Sequence, residues 1–355
     1  MRLQVKQVNR FFLLATAPFI GILFCLMLPH RSVELNMNTS SYIPSESIHE
    51  SSQDIVLQLN DAQEVVKSTL STIRQTSELY QKTLETTNSI VKTTISQALK
   101  PEYIYNKRIT SKLGTPYEKV TSDRITIELF KVNPGVYRGY AMKVKLKDPK
   151  AMKMSLGKDV IGGSETTAAA VQRYNAIAGI NAGGFADGKG KRYPLSTTIM
   201  NGQYLTGFES SFKDLFFVGL DKSGKLIGGK FHNKEDLDHL NPSFGATFVP
   251  VLLHNGQKVP IPAQWQTSPA RAPRTVIGNY KDDQLLIIVI DGYNENGGSG
   301  ATLLELQGKL HQLGVRDAYN LDGGGSSSLI FNGRVVNKPS DGSLRPVPTN
   351  FLFFK

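Results

Sequence analysis

Residues 285–328 read LLIIVIDGYNENGGSGATLLELQGKLHQLGVRDAYNLDGGGSSS. Leu285 through Ile290 is apolar without interruption and ends on Asp291-Gly292. A run of that length without alternation predicts a strand covered on both faces. After a Gly/Asn loop, Ser299 predicts the cap of a helix. Leu303, Leu306, Leu310 and Leu313 give that helix one buried face, and Gly314 closes it. A second strand, Ala318-Tyr319-Asn320-Leu321, ends on Asp322. Strand, helix, strand predicts a parallel crossover. Asp291 and Asp322 then sit at the carboxyl ends of strands in one sheet, where open α/β sheets hold their ligands.

Beyond Asp322 come Gly323, Gly324, Gly325, Ser326, Ser327 and Ser328. Glycine lets successive N–H groups turn toward one point, which makes an anion-binding nest. A carboxylate beside such a nest suits a substrate that carries phosphate and needs acid or base help. The same residues also spell a tight turn with a capping Asp. Similar logic applies at Ile180-Asn181-Ala182-Gly183-Gly184-Phe185, where a buried strand breaks into glycines and Asn181 either orients a sugar hydroxyl or caps a turn. Arg274, followed by Thr275, and Arg345 are candidates for gripping an anion through paired donors.

Several chemistries drop out. Gly183 to Lys189 spells G-x-x-x-x-G-K, but Gly190 stands where a nucleotide-binding loop needs Ser or Thr. Ser326 lacks the second glycine of a nucleophile elbow. His232, His239, His254 and His311 have no paired metal spacing. The sequence requires no cofactor, yet it leaves room for a divalent cation between the two aspartates. The net charge of +11 over 355 residues includes no dense Lys/Arg block with interleaved aromatics, which argues against nucleic acid as a partner.

Residues 11–28, Phe11 to Leu28, carry no charge and reach the lower limit for a membrane-spanning helix. Arg2, Lys6 and Arg10 precede the span, so the expected product is a single-pass cell-membrane protein with a cytoplasmic N-terminus and an extracytoplasmic C-terminal domain. The one cysteine, Cys25, lies inside this run, so the exported part has no disulfides. Residues 1–31 are thus read as cytoplasmic tip and signal anchor, and 32–51 as a flexible linker. Residues 52–100 lack Gly and Pro and place Leu59, Val66, Leu70, Ile73, Tyr80, Leu84 and Val91 at three-four spacing. This predicts a helical stalk, either a coiled coil that joins copies of the chain or a single long helix packed on the domain, ended by Pro101. The folded domain is expected over 117–355. Ile125–Phe130 and Tyr140–Leu146 alternate as half-buried strands, and Ser164 is expected to cap a helix over Glu165–Tyr174. The expected fold class is α+β: a mixed twisted sheet with packed helices, preceded by the transmembrane helix and the stalk.

Together these blocks resemble the phosphodiester glycosidase family over roughly residues 117–355. The resemblance is carried by Gly179 through Phe185, Pro194 with Asn201-Gly202, Pro273-Arg274-Thr275 with Gly278, and Val289 through Gly292. Ser299 through Thr302, Asn320 through Ser327, Asn332-Gly333, Asn337 through Gly342, and Arg345-Pro346-Val347 complete it. Ala186 departs from the aromatic usual there, which puts one sugar-stacking contact in doubt. The resemblance implies hydrolysis of a sugar phosphodiester at the anomeric carbon, in a cell-surface or exopolysaccharide substrate. It implies a carboxylate that activates water or stabilises an oxocarbenium-like transition state, with Asp322 or Asp291 in that role and Glu305 as a third candidate. The Gly323–Ser327 nest with Arg274 and Arg345 would bind phosphate, and Asn181 the sugar. Binding of an anionic glycan without turnover is the alternative, and cleavage of P–O instead of C–O a more distant one.

Overall fold

The computed structural model describes residues 16–23, 46–267, 269–292 and 300–355. The chain divides at Asn88/Ser89 into two units. In the first, the described residues from 46 onward form the start of one helix, Glu46–Leu113, and every described side chain along it up to Asn88 is exposed. The helix does not stop at Pro101 as the sequence predicts. A proline inside a helix costs about 3 kcal/mol or more. The turns beyond it offset this by packing on the domain: Ile109 is fully buried, Tyr105 stacks on Tyr280, and Glu102 and Asn106 pair with Lys145 and Lys143. Of the expected span at 11–28, only 16–23 are described; they are helical, with 17–23 exposed, and the rest lies outside the described residues. Among the described residues no helix is long and apolar enough to cross a membrane.

The second unit is built on three sheets and a short hairpin. The largest runs in the order Glu118–Thr121, Ile125–Val132, Gly139–Leu146, Leu285–Ile290, Arg274–Asn279, Asp317–Leu321, Val251–His254, Gln257–Lys258. Five strands around Phe216–Asp221 and Pro242–Phe248 form a second sheet. Five around Ala178–Asn181 and Thr349–Phe353 form a third. The apolar strand at 285–290 has both faces covered. Leu285, Ile287 and Val289 join a core shared with Ile180, Val218 and Phe351 of the two smaller sheets, while Leu286, Ile288 and Ile290 pack with Leu303, Leu306 and Leu310.

The Leu303–Leu313 helix has the predicted buried face and closes on Gly314 at φ 78°. Its cap is Thr302, not Ser299, which lies outside the described residues; Thr302 and Glu305 form a capping box. Likewise Thr166, not Ser164, caps the helix Thr167–Arg173.

The expected mixed sheet is corrected: every strand pair among the described residues is antiparallel. Leu285–Ile290 and Asp317–Leu321 do run in the same direction, but Arg274–Asn279 lies between them, antiparallel to both. The crossover therefore skips one strand. Asp291 and Asp322 still leave the sheet at the same end, and Arg274 enters it there. Leu310→Ala should lower stability by about 2–5 kcal/mol in urea unfolding, because the helix and the sheet lose a filled contact; a change within about 0.5 kcal/mol would contradict this packing.

Candidate active site

Asn181 ends its strand with a fully buried carboxamide. Its Nδ2 donates to the Asp322 carbonyl (2.6 Å), and its Oδ1 accepts from Thr275 Oγ1 (2.8 Å) and from the Ser328 backbone N–H (3.1 Å). Asn181 and Thr275 therefore hold the third sheet against the large one and fix both ends of the Asp322–Ser328 turn. Neither side chain faces open space as a ligand donor.

The turn itself is a short 3-10 helix, Gly324–Ser326, with Gly324 at φ 58°. Four of the five N–H groups of the expected nest over Gly323–Ser327 have acceptors within the protein. Gly323 N–H donates to Asp322 Oδ1, Gly324 to the Pro273 carbonyl, Ser326 to Gly323, and Ser327 to Gly324. Those four donors are turned inward, so glycine's freedom serves a tight fold and not an anion. Gly325 leaves room for two side-chain ends: an added Cβ would overlap Arg345 Nη2 and Asp341 Oδ2 where they now lie. Arg345 and Asp341 form an ion pair at 2.7 Å directly on this glycine.

Asp322 is the most perturbed acid of the region. Burial pushes its carboxyl up to about 6, although the Gly323 N–H and the positive charges of Arg345 and Arg192 favour the ionised form. Ser326 Oγ lies close enough to favour that charge as well, but not in hydrogen-bonding geometry. Asp322 Oδ2, Ser326 Oγ and Ser327 Oγ are buried polar atoms without a hydrogen-bond partner among the described residues. Such atoms are rare in a folded protein and mark a place for water or ligand.

Asp291 is half-buried. Its Oδ1 accepts from the Lys338 N–H at 2.8 Å, and burial raises its pKa against the pull of that bond and of the Lys338 and Arg138 charges. Gly292 packs under Ser340, where a Cβ would stand 2.5 Å from Ser340 Cα. The segment 337–346 thus borders both acids. Asn337 fastens its start to Leu329 N–H and the Ser327 carbonyl, Lys338 meets Asp291, Asp341 and Arg345 cover Gly325, and the Pro346 carbonyl accepts from Arg192.

Arg192 was missed by sequence reasoning. It sits on the second strand of a hairpin, opposite Asp187, with its guanidinium 4.7 Å from the centre of the Phe185 ring. The cue was Gly188-Lys189-Gly190, a turn that folds this arginine back toward the Asn181 strand end.

The other expected residues have structural duties. Gly183 and Gly184 allow close passage of the 242–248 strand: added Cβ atoms would stand 2.6 Å from Ala246 Cβ and 2.5 Å from Phe248 Cδ2. Arg274 is buried and donates to the Pro269 and Ala301 carbonyls. Asn320 donates to the Val249 carbonyl. Glu305 is engaged by the Thr302 cap and by Arg271: burial would raise its pKa, but the Thr302 N–H and the Arg271 guanidinium outweigh that and hold it below the usual carboxylate range. Among the described residues no three His, Cys, Asp or Glu side chains gather as a metal site. A cavity of about 1200 Å³ between Thr166, Gln172, Tyr174 and Asn332 has no Asp or Glu side chain among its lining residues.

The sequence model of the phosphodiester glycosidase family matches residues 174–354. The chain belongs to this family. The match contains Asn181, Arg192, both aspartates and the whole 337–346 segment. Over 137 residues the chain is 30% identical to N-acetylglucosamine-1-phosphodiester alpha-N-acetylglucosaminidase of Mus musculus, covering 35% of this chain and 26% of the relative. It is 27% identical over 188 residues to the SPbeta prophage-derived uncharacterized protein YomE of Bacillus subtilis (strain 168), covering 52% and 28% respectively. The chain therefore spans only about a quarter of the length of these curated relatives. The solved catalytic domain of the zebrafish N-acetylglucosamine-1-phosphodiester alpha-N-acetylglucosaminidase, auto-inhibited by its pro-peptide, shares the fold at a TM-score of 0.52 and 19% identity, covering 68% of this chain and 86% of that chain.

Asn181→Ala should cost about 3 kcal/mol or more in urea unfolding, since it strands the Thr275 hydroxyl, the Ser328 N–H and the Asp322 carbonyl, at about 1–3 kcal/mol each. Unchanged stability would show that the amide does not carry this junction.

Proposed function

We propose that this phosphodiester glycosidase hydrolyses the bond between a sugar's anomeric carbon and phosphate. The observation that carries the reading is the buried Asp322 Oδ2, without a hydrogen-bond partner among the described residues, with the charges of Arg345 and Arg192 near enough to act on the carboxyl. Asp322 takes a proton from the attacking water. Arg345 and Arg192 balance the negative charge of the phosphate, and Asp291 is the second carboxyl at this end of the sheet. The phosphomonoester departs readily, so little acid assistance is needed at the leaving oxygen. The relatives named for an N-acetylglucosamine-1-phosphodiester support this substrate class, and cell-surface or exopolysaccharide phosphodiesters are the natural targets for an exported domain.

Asp322→Asn should lower kcat on a sugar phosphodiester by about 10²–10⁴-fold while the protein stays folded. Turnover in ¹⁸O-water should label the sugar and leave the phosphate unlabelled. Label in the phosphate would mean P–O cleavage, and saturable binding with no turnover in the wild type would mean a glycan-binding protein. Because the base must be ionised, activity should rise with pH through an inflection at about 6, where Asp322 loses its proton. A profile flat from pH 4.5 to 7.5 would remove Asp322 from this role.

We also propose that residues 11–28 anchor the chain in the cell membrane as a single span, with the domain outside, and that copies associate through the long helix. The uncharged run after Arg2, Lys6 and Arg10 supports the anchor. Alkaline carbonate should leave the protein with the membrane fraction; release into the supernatant would overturn the anchor.

A further inference from the structure

The long helix is exposed over two adjoining apolar stripes, and one partner helix can cover only one of them. From Val56 the apolar positions follow steps of three and four: Val56, Leu59, Val66, Leu70, Ile73, Tyr80, with Gln63 and Ser77 in the same series. This is a heptad repeat with Val56, Leu70 and Leu84 at a, and Leu59, Val66 and Ile73 at d. Alongside it, at positions c and g, stand Ile55, Val65, Leu79 and Ile90, each between 60% and 65% exposed.

Charge marks the limits of this face. The ten Asp, Glu, Lys and Arg residues from Glu50 to Lys92 all fall at b, e or f; positions a, c, d and g hold none. The uncharged arc therefore covers four of the seven heptad positions, far wider than a two-stranded seam.

The threonines that interrupt the apolar pattern do not spoil it. Thr69, Thr72, Thr76, Thr83, Thr86 and Thr87 each donate the hydroxyl to the carbonyl four residues earlier in the same helix, at 2.7–3.0 Å. Their one donor is satisfied within the helix and their methyls complete the face, so burial strands no hydroxyl proton.

We propose that this face is covered by further copies of the same chain, in a parallel bundle of three or more helices. It builds on the self-association proposed above and adds the strand number and the face. In a pair, Val65 and Leu79 at position c stay in water; a third strand covers them. The first heptad, with Val56 and Leu59, follows the two-stranded preference. The centre, with Leu70 at a and Ile73 at d, follows the preference for three or four strands. A lipid surface suits the helix poorly. Its polar face carries six acids against four bases between Glu50 and Lys92, whereas helices lying on membranes present Lys and Arg there.

The test is light scattering on the full chain in detergent, corrected for bound detergent, with a protomer mass of 39.1 kDa. The protein mass should correspond to three or more copies. Leu79→Glu should reduce it to two copies or fewer, and Glu78→Gln, on the charged face, should leave it unchanged. Because Leu79 is exposed in the single chain, thermal melting of the domain should not move. A wild-type dimer overturns the bundle. A monomer overturns self-association too, whether or not it binds phosphatidylglycerol vesicles through this face. Hydrolysis is not a readout, so either failure leaves the enzymatic reading standing.

Discussion

The Asn181 carboxamide ties together three segments that lie far apart in the chain. Through it the strand ending at 181, the strand beginning near Thr275 and the turn from Asp322 to Ser328 share one buried set of hydrogen bonds. The bonds hold backbone and hydroxyl groups that would otherwise be unpaired in the core, and leaving such groups unpaired costs about 1–3 kcal/mol each. The amide grips Asp322 by its carbonyl. That leaves the carboxyl free to point away from the junction, buried enough to resist ionisation and near enough to two arginines to ionise near neutral pH.

The 337–346 segment then closes the edge. It touches Asp291, lays the Arg345–Asp341 pair on Gly325 and receives Arg192 from the neighbouring hairpin. The site is thus assembled from four separated stretches, each locked by backbone contacts. Such locking is what preorganised electrostatics requires: charges already in place need no reorganisation as the phosphate departs. Gly292 and Gly325 serve this assembly by allowing close approach of Ser340 and of the Arg345–Asp341 pair.

Local pattern in the sequence was enough for some of this. The unbroken apolar run at 285–290 declared a strand with two covered faces, and the leucine spacing at 303–313 declared its helix. Their order placed both aspartates at one end of the sheet. It was not enough to show that the strand at 274–279, a hairpin partner of 285–290, also pairs along its other edge with 317–321, because that second pairing joins residues far apart in the chain and leaves no periodic trace. Nor could it say where glycine N–H groups turn: three glycines permit a nest, but the Asp322 carboxyl and the Pro273 carbonyl accept from the N–H groups of Gly323 and Gly324. Asn181 after a strand reads alike whether it meets a sugar or a neighbouring hydroxyl. Glu305 looked like a free acid because its partner Arg271 lies over thirty residues away in the chain. Pro101 looked like a helix end because the packing of Tyr105 and Ile109 that carries the helix past it is tertiary.

The proposed chemistry rests on a carboxyl group held buried by this junction, and its titration can be read directly. Asp322 in protein labelled with ¹³C at its aspartate carboxyls, assigned by comparison with Asp322→Asn, should change shift with a midpoint at about 6. A midpoint near the unperturbed value of about 4 would show a solvated acid and contradict the site as described here.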